Sequence, residues 1–244
     1  MSRGYGKRSP VLDIGQPMGY HYLHKEPQRL LAPLPLTPSL LMAVTSPLTC
    51  PMASTANANR LAYVGKVPGA RDSDSWFTPA VYVDSARDAL GGIIGLDPFS
   101  SDAANEVVDA VTHLTVADDA FATPWAPCLP RNKTLKTVWM NPPYSGKLCR
   151  DAVNLFIDQY AAGTFTAGVF LVNNSTETSW FQRAMASATA VCFTNHRIAF
   201  WNADGKAQSG NTRGQAFFYF GNNLTAFRNA FTAHGTVVAL QEVL

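Results

Sequence analysis

Charged residues are scarce in this sequence, which has 244 residues, 15% of them charged, and a formal net charge of only +2. So few charges beside 47% hydrophobic residues argue against a wholly disordered chain. A near-neutral total also argues against a strongly basic nucleic-acid-binding protein, provided that the charges are spread evenly. They are not: residues 1–65 hold six basic and two acidic residues, residues 66–130 three and ten, and residues 131–244 ten and five. An acidic middle between basic flanks is compatible with a side that faces nucleic acid and with ordinary surface variation.

Closely spaced metal or redox ligands are also missing. The four cysteines lie at least 21 residues apart, which excludes C-x-x-C motifs, and the five histidines show no metal-ligand spacing. The longest apolar run near the N-terminus, residues 40–44, is too short to span a bilayer, and no signal-peptide pattern precedes it. We therefore expect a cytoplasmic protein with reduced thiols, no bound metal and no membrane contact.

Proline divides the chain into two regions. Eight of the sixteen prolines lie in residues 1–60, where they interrupt any helix or strand that the neighbouring leucines start. We predict that residues 1–60 are a poorly ordered extension, with a basic arm that follows nucleic-acid phosphates as the alternative. Residues 61–244 are long enough to form one folded domain with a sizeable core.

Helix-like and strand-like segments alternate after residue 79. Apolar spacing predicts helices over residues 80–90, 102–111, 148–161 and 178–188. Short apolar runs predict strands over residues 91–98, 137–140, 167–172, 190–194, 197–201 and 216–220, with a hairpin turn at residues 202–205. This alternation is typical of an α/β fold with a mostly parallel sheet, to which the late hairpin adds an antiparallel edge.

Two segments with reactive or polar groups lie at the ends of predicted strands, where open α/β sheets bind their ligands: Asp97-Pro98 and Asn141-Pro142-Pro143-Tyr144. The prolines supply no N–H, so the Pro142 carbonyl can accept a hydrogen bond from a ligand, and the Asn141 side-chain oxygen is a second acceptor. Tyr144 offers a flat face for a base. Two acceptors can hold both hydrogens of an exocyclic amine such as adenine N6, which then attacks an electrophilic methyl group without a deprotonated protein nucleophile. The alternative is a rigid Pro-Pro loop on which Tyr144 packs.

The tetrapeptide resembles the catalytic motif of amino-group methyltransferases that use S-adenosylmethionine, and the fuller pattern resembles the phage-type Dam family of DNA adenine-N6 methyltransferases. The other matching segments, in the family's order, are Trp76–Pro79 (W-x-T-P), Leu96–Asn105 (L-D-P-A-S-S-x-x-A-N), Thr115–Trp125, Val138–Ser145, Thr176–Phe181 (T-x-T-x-W-F) and Arg197–Phe200 (R-I-x-F). The resemblance covers about residues 70–220. Ala120-Phe121 and His196 stand where the family has Gly-Leu and Gly, and the F-x-G-x-G cofactor fingerprint is absent.

The resemblance implies a single Rossmann-like methyltransferase domain that transfers a methyl group from S-adenosylmethionine to a flipped-out adenine in double-stranded DNA. The implied catalytic residues are Asn141, Pro142, Pro143 and Tyr144. The implied cofactor contacts are Thr78 and Pro79 near the amino-acid end, Asp97 and Pro98 at the ammonium or ribose, and Asp119 at the adenine amine. A helix-capping role is the alternative for Asp97, and Asp118 competes with Asp119.

Four basic residues follow the catalytic tetrapeptide or lie near the predicted hairpin and are candidates for phosphate contacts: Lys147, Arg150, Arg197 and Arg213. Each of them can equally be an ordinary surface charge. The resemblance further implies protection of a phage genome from restriction. Two other functions stay open, namely methylation of RNA or of a protein glutamine, and a catalytically inactive DNA-binding module.

Overall fold

A computed structural model describes residues 77–201 and 211–241 of the chain. The helices in this part are α1 (Ala80–Ala89), α2 (Asp102–Val108), α3 (Gly146–Ala161), α4 (Ser179–Ser187) and α5 (Leu224–Phe231). The strands are β1 (Leu96–Asp97), β2 (Thr112–His113), β3 (Thr137–Met140), β4 (Ala167–Asn173), β5 (Ala190–Thr194), β6 (Gln215–Phe220) and β7 (Gly235–Ala239). Three short 3₁₀ helices lie between β2 and β3, at Val116–Asp118, Ala126–Cys128 and Lys133–Leu135.

The strands form one sheet in the order β2-β1-β3-β4-β6-β5-β7. The pairs within β2-β1-β3-β4 are parallel, and β6 is antiparallel to both β4 and β5. Therefore β5 runs in the same direction as β1 to β4, and only β6 and β7 run the opposite way. The predicted α/β class with a parallel first part and an antiparallel C-terminal part is confirmed, although the antiparallel part is larger than one hairpin.

Helices cover both faces of the sheet, because the central strands are apolar on both sides. All four residues of β3 are buried, and its side chains alternate between the two faces. On one face Val138 and Met140 pack with residues of α3 and α4. On the other face Trp139 packs with residues of α1 and α5. The parallel strands are thereby held rigidly, and the loops that leave their carboxyl ends start from fixed positions.

The predicted strand over residues 197–201 is wrong. In this segment only Trp201 forms a bridge, and its partner is Phe77. The backbone N–H of Ile198 donates to the side-chain oxygen of Gln215 at 3.0 Å, so a buried side chain replaces a strand partner there. The predicted turn at residues 202–205 lies outside the described residues.

Several other predicted elements have different bounds, and some elements of the described residues were not predicted. The predicted strand over residues 91–98 is reduced to β1, and at its start Gly91 and Gly92 have left-handed backbones, with φ of 86° and 97°, that do not fit a strand. The predicted bounds of the strands over residues 137–140 and 190–194 are confirmed. The unpredicted elements are β2, α5, β7 and the three 3₁₀ helices.

The cysteines differ from the expectation of four reduced thiols. Cys149 and Cys192 are free and buried, and burial raises the pKa of each thiol to about 12, which keeps both protonated at neutral pH. Cys128, in contrast, is disulfide-bonded, so the expectation is wrong for this residue. Among the helices of the described residues, each is too short or too polar to cross a membrane. The predicted extension over residues 1–60 lies outside the described residues.

Candidate active site

The carboxyl ends of β1 and β3 lie side by side and bring two of the predicted segments together. Leu96 of β1 is paired with Val138 of β3 in a parallel register. Asp97 is the last residue of β1, and Asn141 is the first residue after β3. Both side chains therefore leave the same edge of the sheet, which is where open α/β sheets bind ligands.

The loop after β3 is fixed by contacts on both of its sides. The Asn141 amide nitrogen donates to the Thr78 hydroxyl oxygen at 3.2 Å. The Tyr144 hydroxyl lies 3.5 Å from the Leu171 carbonyl oxygen, which it can donate to only weakly, and its ring meets Phe200 edge to face at 6.2 Å. Burial raises the pKa of Tyr144 well above its usual value, so the phenol stays neutral. The loop thus offers neutral hydrogen-bonding groups and an aromatic ring.

The prolines of this loop differ in exposure. Pro142 is buried and Pro143 is half-buried. Ser145 ends the loop as the residue before α3, and its hydroxyl oxygen is buried without a hydrogen-bond partner among the described residues. Neither Ser145 nor Phe200 was predicted to take part in the site. Both lie inside segments that match the family's motifs, and this match is the sequence feature that could have indicated them.

Asp97 is a buried carboxyl group, only 3% exposed. Burial raises its pKa to about 7, although the Ser100 side chain, the Phe99 N–H and the charge of His113 act in the lowering direction. The Phe99 N–H lies 3.3 Å from the carboxyl oxygen. The cap of α2 is Ser101, whose hydroxyl oxygen accepts from the Ala104 N–H at 3.1 Å, so Asp97 is not the helix-capping residue. Pro98 follows it and is buried.

Asp118 and Asp119 have different environments. Asp118 accepts from both the backbone N–H and the hydroxyl of Thr115 at 2.8 Å, which makes it part of a capping box at a 3₁₀ helix. Asp119 is 7% exposed and adopts a left-handed backbone with φ of 47°. One of its carboxyl oxygens accepts from the Phe121 N–H at 3.2 Å, whereas the other has no hydrogen-bond partner among the described residues. A buried carboxyl oxygen of this kind suits a ligand that donates a hydrogen bond.

The loops that carry Asp97 and Asp119 contact each other. The ring of Phe99, two residues after Asp97, meets the ring of Phe121, two residues after Asp119, at 5.0 Å in an edge-to-face arrangement. Since each carboxylate also accepts from the backbone N–H of its phenylalanine, the aromatic pair positions both. The structure therefore brings two buried acceptors to neighbouring loops beside β3, the strand that precedes Asn141-Pro142-Pro143-Tyr144.

Thr78 and Pro79 lie at the start of α1. Thr78 is 7% exposed, and Pro79 is the N-terminal capping residue of the helix. Phe77 exchanges two backbone hydrogen bonds with Trp201, at 2.8 and 3.0 Å. Thr78 is held between this bridge and α1, and it reaches the loop after β3 through Asn141.

The four candidate basic residues fall into two pairs. Both Lys147 and Arg150 bind Asp151, at 2.7 and 3.1 Å. Lys147 lies in the first turn of α3, and Arg150 lies just after that turn. Burial raises the pKa of Asp151, but the hydrogen bonds from these two cations outweigh burial and leave the pKa lowered.

Arg197 and Arg213 are exposed and form no ion pair with the other described residues. Arg197 follows the carboxyl end of β5, and Arg213 precedes β6, whose first residue Gln215 pairs with Asn173 at the end of β4. Because β6 begins where the parallel strands end, both arginines lie at the sheet edge that holds Asn141. Within the described residues, no group of three or more His, Cys, Asp or Glu side chains is arranged to hold a metal ion.

Comparison with known proteins gives one match. The model of the family described as DNA N-6-adenine-methyltransferase (Dam) matches residues 67–243, which is more than half of the chain. A search of curated proteins and a search of solved structures gave no match.

Proposed function

The chain belongs to the DNA N-6-adenine-methyltransferase (Dam) family, and we propose that it transfers a methyl group from S-adenosylmethionine to an adenine flipped out of double-stranded DNA. Family membership makes it a DNA adenine methyltransferase in general terms. The observation that carries the finer proposal is the position of Asn141 directly after β3, at the sheet edge that also holds the buried Asp97.

The donor set fits S-adenosylmethionine. This cofactor carries an ammonium group, two ribose hydroxyls and an adenine amine, all of which donate hydrogen bonds. Asp97 and Asp119 are buried acceptors on adjoining loops, and one oxygen of Asp119 lacks a protein partner among the described residues. We assign the ammonium or ribose to Asp97, with Pro98 beside it, and the adenine amine to Asp119. Thr78 and Pro79 are assigned to the amino-acid end. When bound, the cofactor would supply an electrophilic methyl group.

The chain's own contribution to catalysis is to hold the target amine. The Asn141 side-chain oxygen and the Pro142 carbonyl each accept one hydrogen of adenine N6, which favours localisation of its lone pair. Pro143 keeps the backbone rigid, and the Tyr144 ring stacks on the base. Cys149, although it lies close to this loop in sequence, stays protonated because its pKa is raised to about 12, and it takes no part as a nucleophile.

Arg197, Arg213, Lys147 and Arg150 are proposed to contact DNA phosphates. Arg197 and Arg213 form no ion pair with the other described residues and can contact phosphates directly, whereas Lys147 and Arg150 share their charge with Asp151. We expect Arg197→Ala combined with Arg213→Ala to weaken DNA binding and to reduce the slope of log Kd against log salt by about 2, since each phosphate contact contributes about 0.9. Binding is measured by fluorescence anisotropy from 50 to 300 mM salt.

The matched control for this measurement is Arg131→Ala combined with Lys133→Ala. Both of these side chains are exposed, and they precede the amino end of β3, at the opposite edge of the sheet. The control removes the same formal charge and is expected to leave the salt dependence close to that of the wild type. If both double variants had the same slope of log Kd against log salt, Arg197 and Arg213 would not be phosphate contacts.

The proposal is tested by methylation of a random-sequence DNA pool with labelled S-adenosylmethionine, read out by modification-sensitive sequencing. The expected product is N6-methyladenine within a defined sequence. Transfer of label to RNA or to a protein glutamine, with none to DNA, would contradict the substrate assignment. DNA binding without any methyl transfer would identify an inactive binding module instead.

The setting of this activity is part of the same proposal. We place the enzyme in the cytoplasm, where cellular DNA is accessible, and assign it the protection of a phage genome from restriction, as the resemblance of its motifs implies. DNA methylated at the identified sequence is then expected to resist a restriction endonuclease that cuts there, and complete digestion of such DNA would contradict the protective role.

A further inference from the structure

A side-chain hydrogen bond joins the segment before α1 to the loop after β3. The Asn141 amide nitrogen donates to the Thr78 hydroxyl oxygen at 3.2 Å, and Thr78 is buried. Among the described residues, the Thr78 hydroxyl forms no second hydrogen bond, which leaves its proton for a ligand. The contact links residues 63 positions apart in the sequence, one before α1 and the other after β3.

The direction of this hydrogen bond matters for the proposed chemistry. A primary amide has an acceptor side and a donor side, and rotation of the group by about 180° exchanges them. Adenine N6 presents hydrogens, so Asn141 must turn its oxygen toward the target amine. In the opposite orientation, the side-chain NH₂ of Asn141 would face the hydrogens of adenine N6, and no hydrogen bond could form between them.

Thr78 is well placed to select the productive orientation. Its backbone is anchored on one side by the two hydrogen bonds between Phe77 and Trp201 and on the other by α1, which begins at Ala80. A hydroxyl can accept through its oxygen or donate through its proton. A ligand that takes the proton, such as the carboxylate at the amino-acid end of the cofactor, leaves the oxygen only the accepting role.

We propose that Thr78 is a positioning residue, whose hydroxyl oxygen holds the Asn141 amide so that its oxygen faces the target adenine amine. This inference rests on the proposed function and adds to it a link between cofactor binding and the orientation of the catalytic side chain. Thr78 acts through Asn141 and does not itself touch the adenine.

A double-mutant cycle tests this role. Thr78→Val is expected to lower kcat, at saturating cofactor and DNA, by about fivefold to thirtyfold, because the amide loses the hydroxyl oxygen that accepts from its donor side. Thr78→Ser retains the hydroxyl and is expected to stay within about twofold of the wild type. Asn141→Asp offers an acceptor oxygen in either orientation, so adding Thr78→Val to it is expected to change kcat by less than about twofold. Equal losses in the two backgrounds would overturn the proposal in favour of a packing or cofactor-contact role.

A second measurement does not depend on turnover. In protein labelled with ¹⁵N-asparagine, the Asn141 side-chain resonances are identified by their loss in Asn141→Asp. Thr78→Val is expected to shift them and Thr78→Ser to leave them near their original positions. Unshifted resonances in a folded Thr78→Val protein would overturn the positioning role even if the proposed function holds. Absence of methyl transfer by the wild type would instead contradict the proposed function, and the spectra distinguish the two failures.

Discussion

Asn141→Ala is expected to lower the rate of methyl transfer to DNA by about 10²–10³-fold, the range seen when one preorganised hydrogen-bonding group is removed from an active site. The variant leaves the Pro142 carbonyl as the single acceptor for the two hydrogens of adenine N6. The lone pair of the amine is then no longer localised and aimed at the methyl group. Folding is expected to change little, because Asn141 lies at a half-buried strand end and outside the apolar clusters. The rate is measured under single-turnover conditions with labelled cofactor.

The control for this variant is Asn222→Ala, which removes an exposed amide just after β6, at the other edge of the sheet. It is expected to leave the rate within about twofold of the wild type. DNA and cofactor affinities are measured for both proteins, because a catalytic role predicts that they stay nearly constant in Asn141→Ala. A loss of rate that is matched by an equal loss of DNA affinity would assign Asn141 to substrate binding.

The parts of the fold that could be predicted from sequence are those whose local pattern agrees with their final environment. Residues 137–140 are apolar or β-branched throughout and are buried on both faces of a parallel sheet, so the predicted strand and the position of Asn141 after it are confirmed. Residues 198–201 are also apolar, but the backbone N–H of Ile198 donates to the side chain of Gln215, a partner that no local pattern indicates. Strand propensity alone therefore gave the wrong result.

Two missed features had a readable signal. Helix α5 begins after Asn223, whose side chain accepts from the Ala226 N–H, and its buried Phe227 and Phe231 are four residues apart. Thr115 and Asp118 have the spacing of a capping box, which gives Asp118 a structural role, whereas one carboxyl oxygen of Asp119 has no partner among the described residues. In contrast, the contact of Thr78 with Asn141 depends on packing between distant segments, and no sequence pattern specifies it.

Asp97→Asn is expected to have opposite effects on stability and on cofactor binding. The pKa of Asp97 in the folded protein is about 7, chiefly because of burial, against 3.8 for an ordinary aspartate. The folded state thus holds the proton more tightly, and the stability gained from the protonated carboxyl is present below pH 4 and is lost as the pH rises through about 7. Asparagine does not ionise, so the variant without cofactor is expected to have a higher Tm than the wild type at pH 8 and a similar Tm at pH 4.

The control for the stability measurement is Asp102→Asn. Asp102 lies close by in sequence, but its side chain is 94% exposed and pairs with His113 at the surface. Exposed pairs of this kind contribute little to stability, so the Tm of Asp102→Asn is expected to differ from that of the wild type by about 1 °C or less at either pH. If Asp97→Asn lowered the Tm at pH 8, the carboxylate would be a structural group rather than one kept buried for a ligand.

Cofactor binding by the same variant is expected to be weaker by about 10- to 100-fold at pH 8, because hydrogen bonds to a charged acceptor are worth about 1.5–3 kcal/mol. The affinity of the wild type should fall as the pH drops below about 7, approaching tenfold per pH unit, since protonation of Asp97 competes with the cofactor's donor groups. Isothermal titration calorimetry from pH 5.5 to 8.5 measures both proteins, and ionisation of the cofactor itself affects them equally. The ratio of their affinities therefore isolates Asp97, and a ratio that does not change with pH would exclude this carboxylate from the cofactor site.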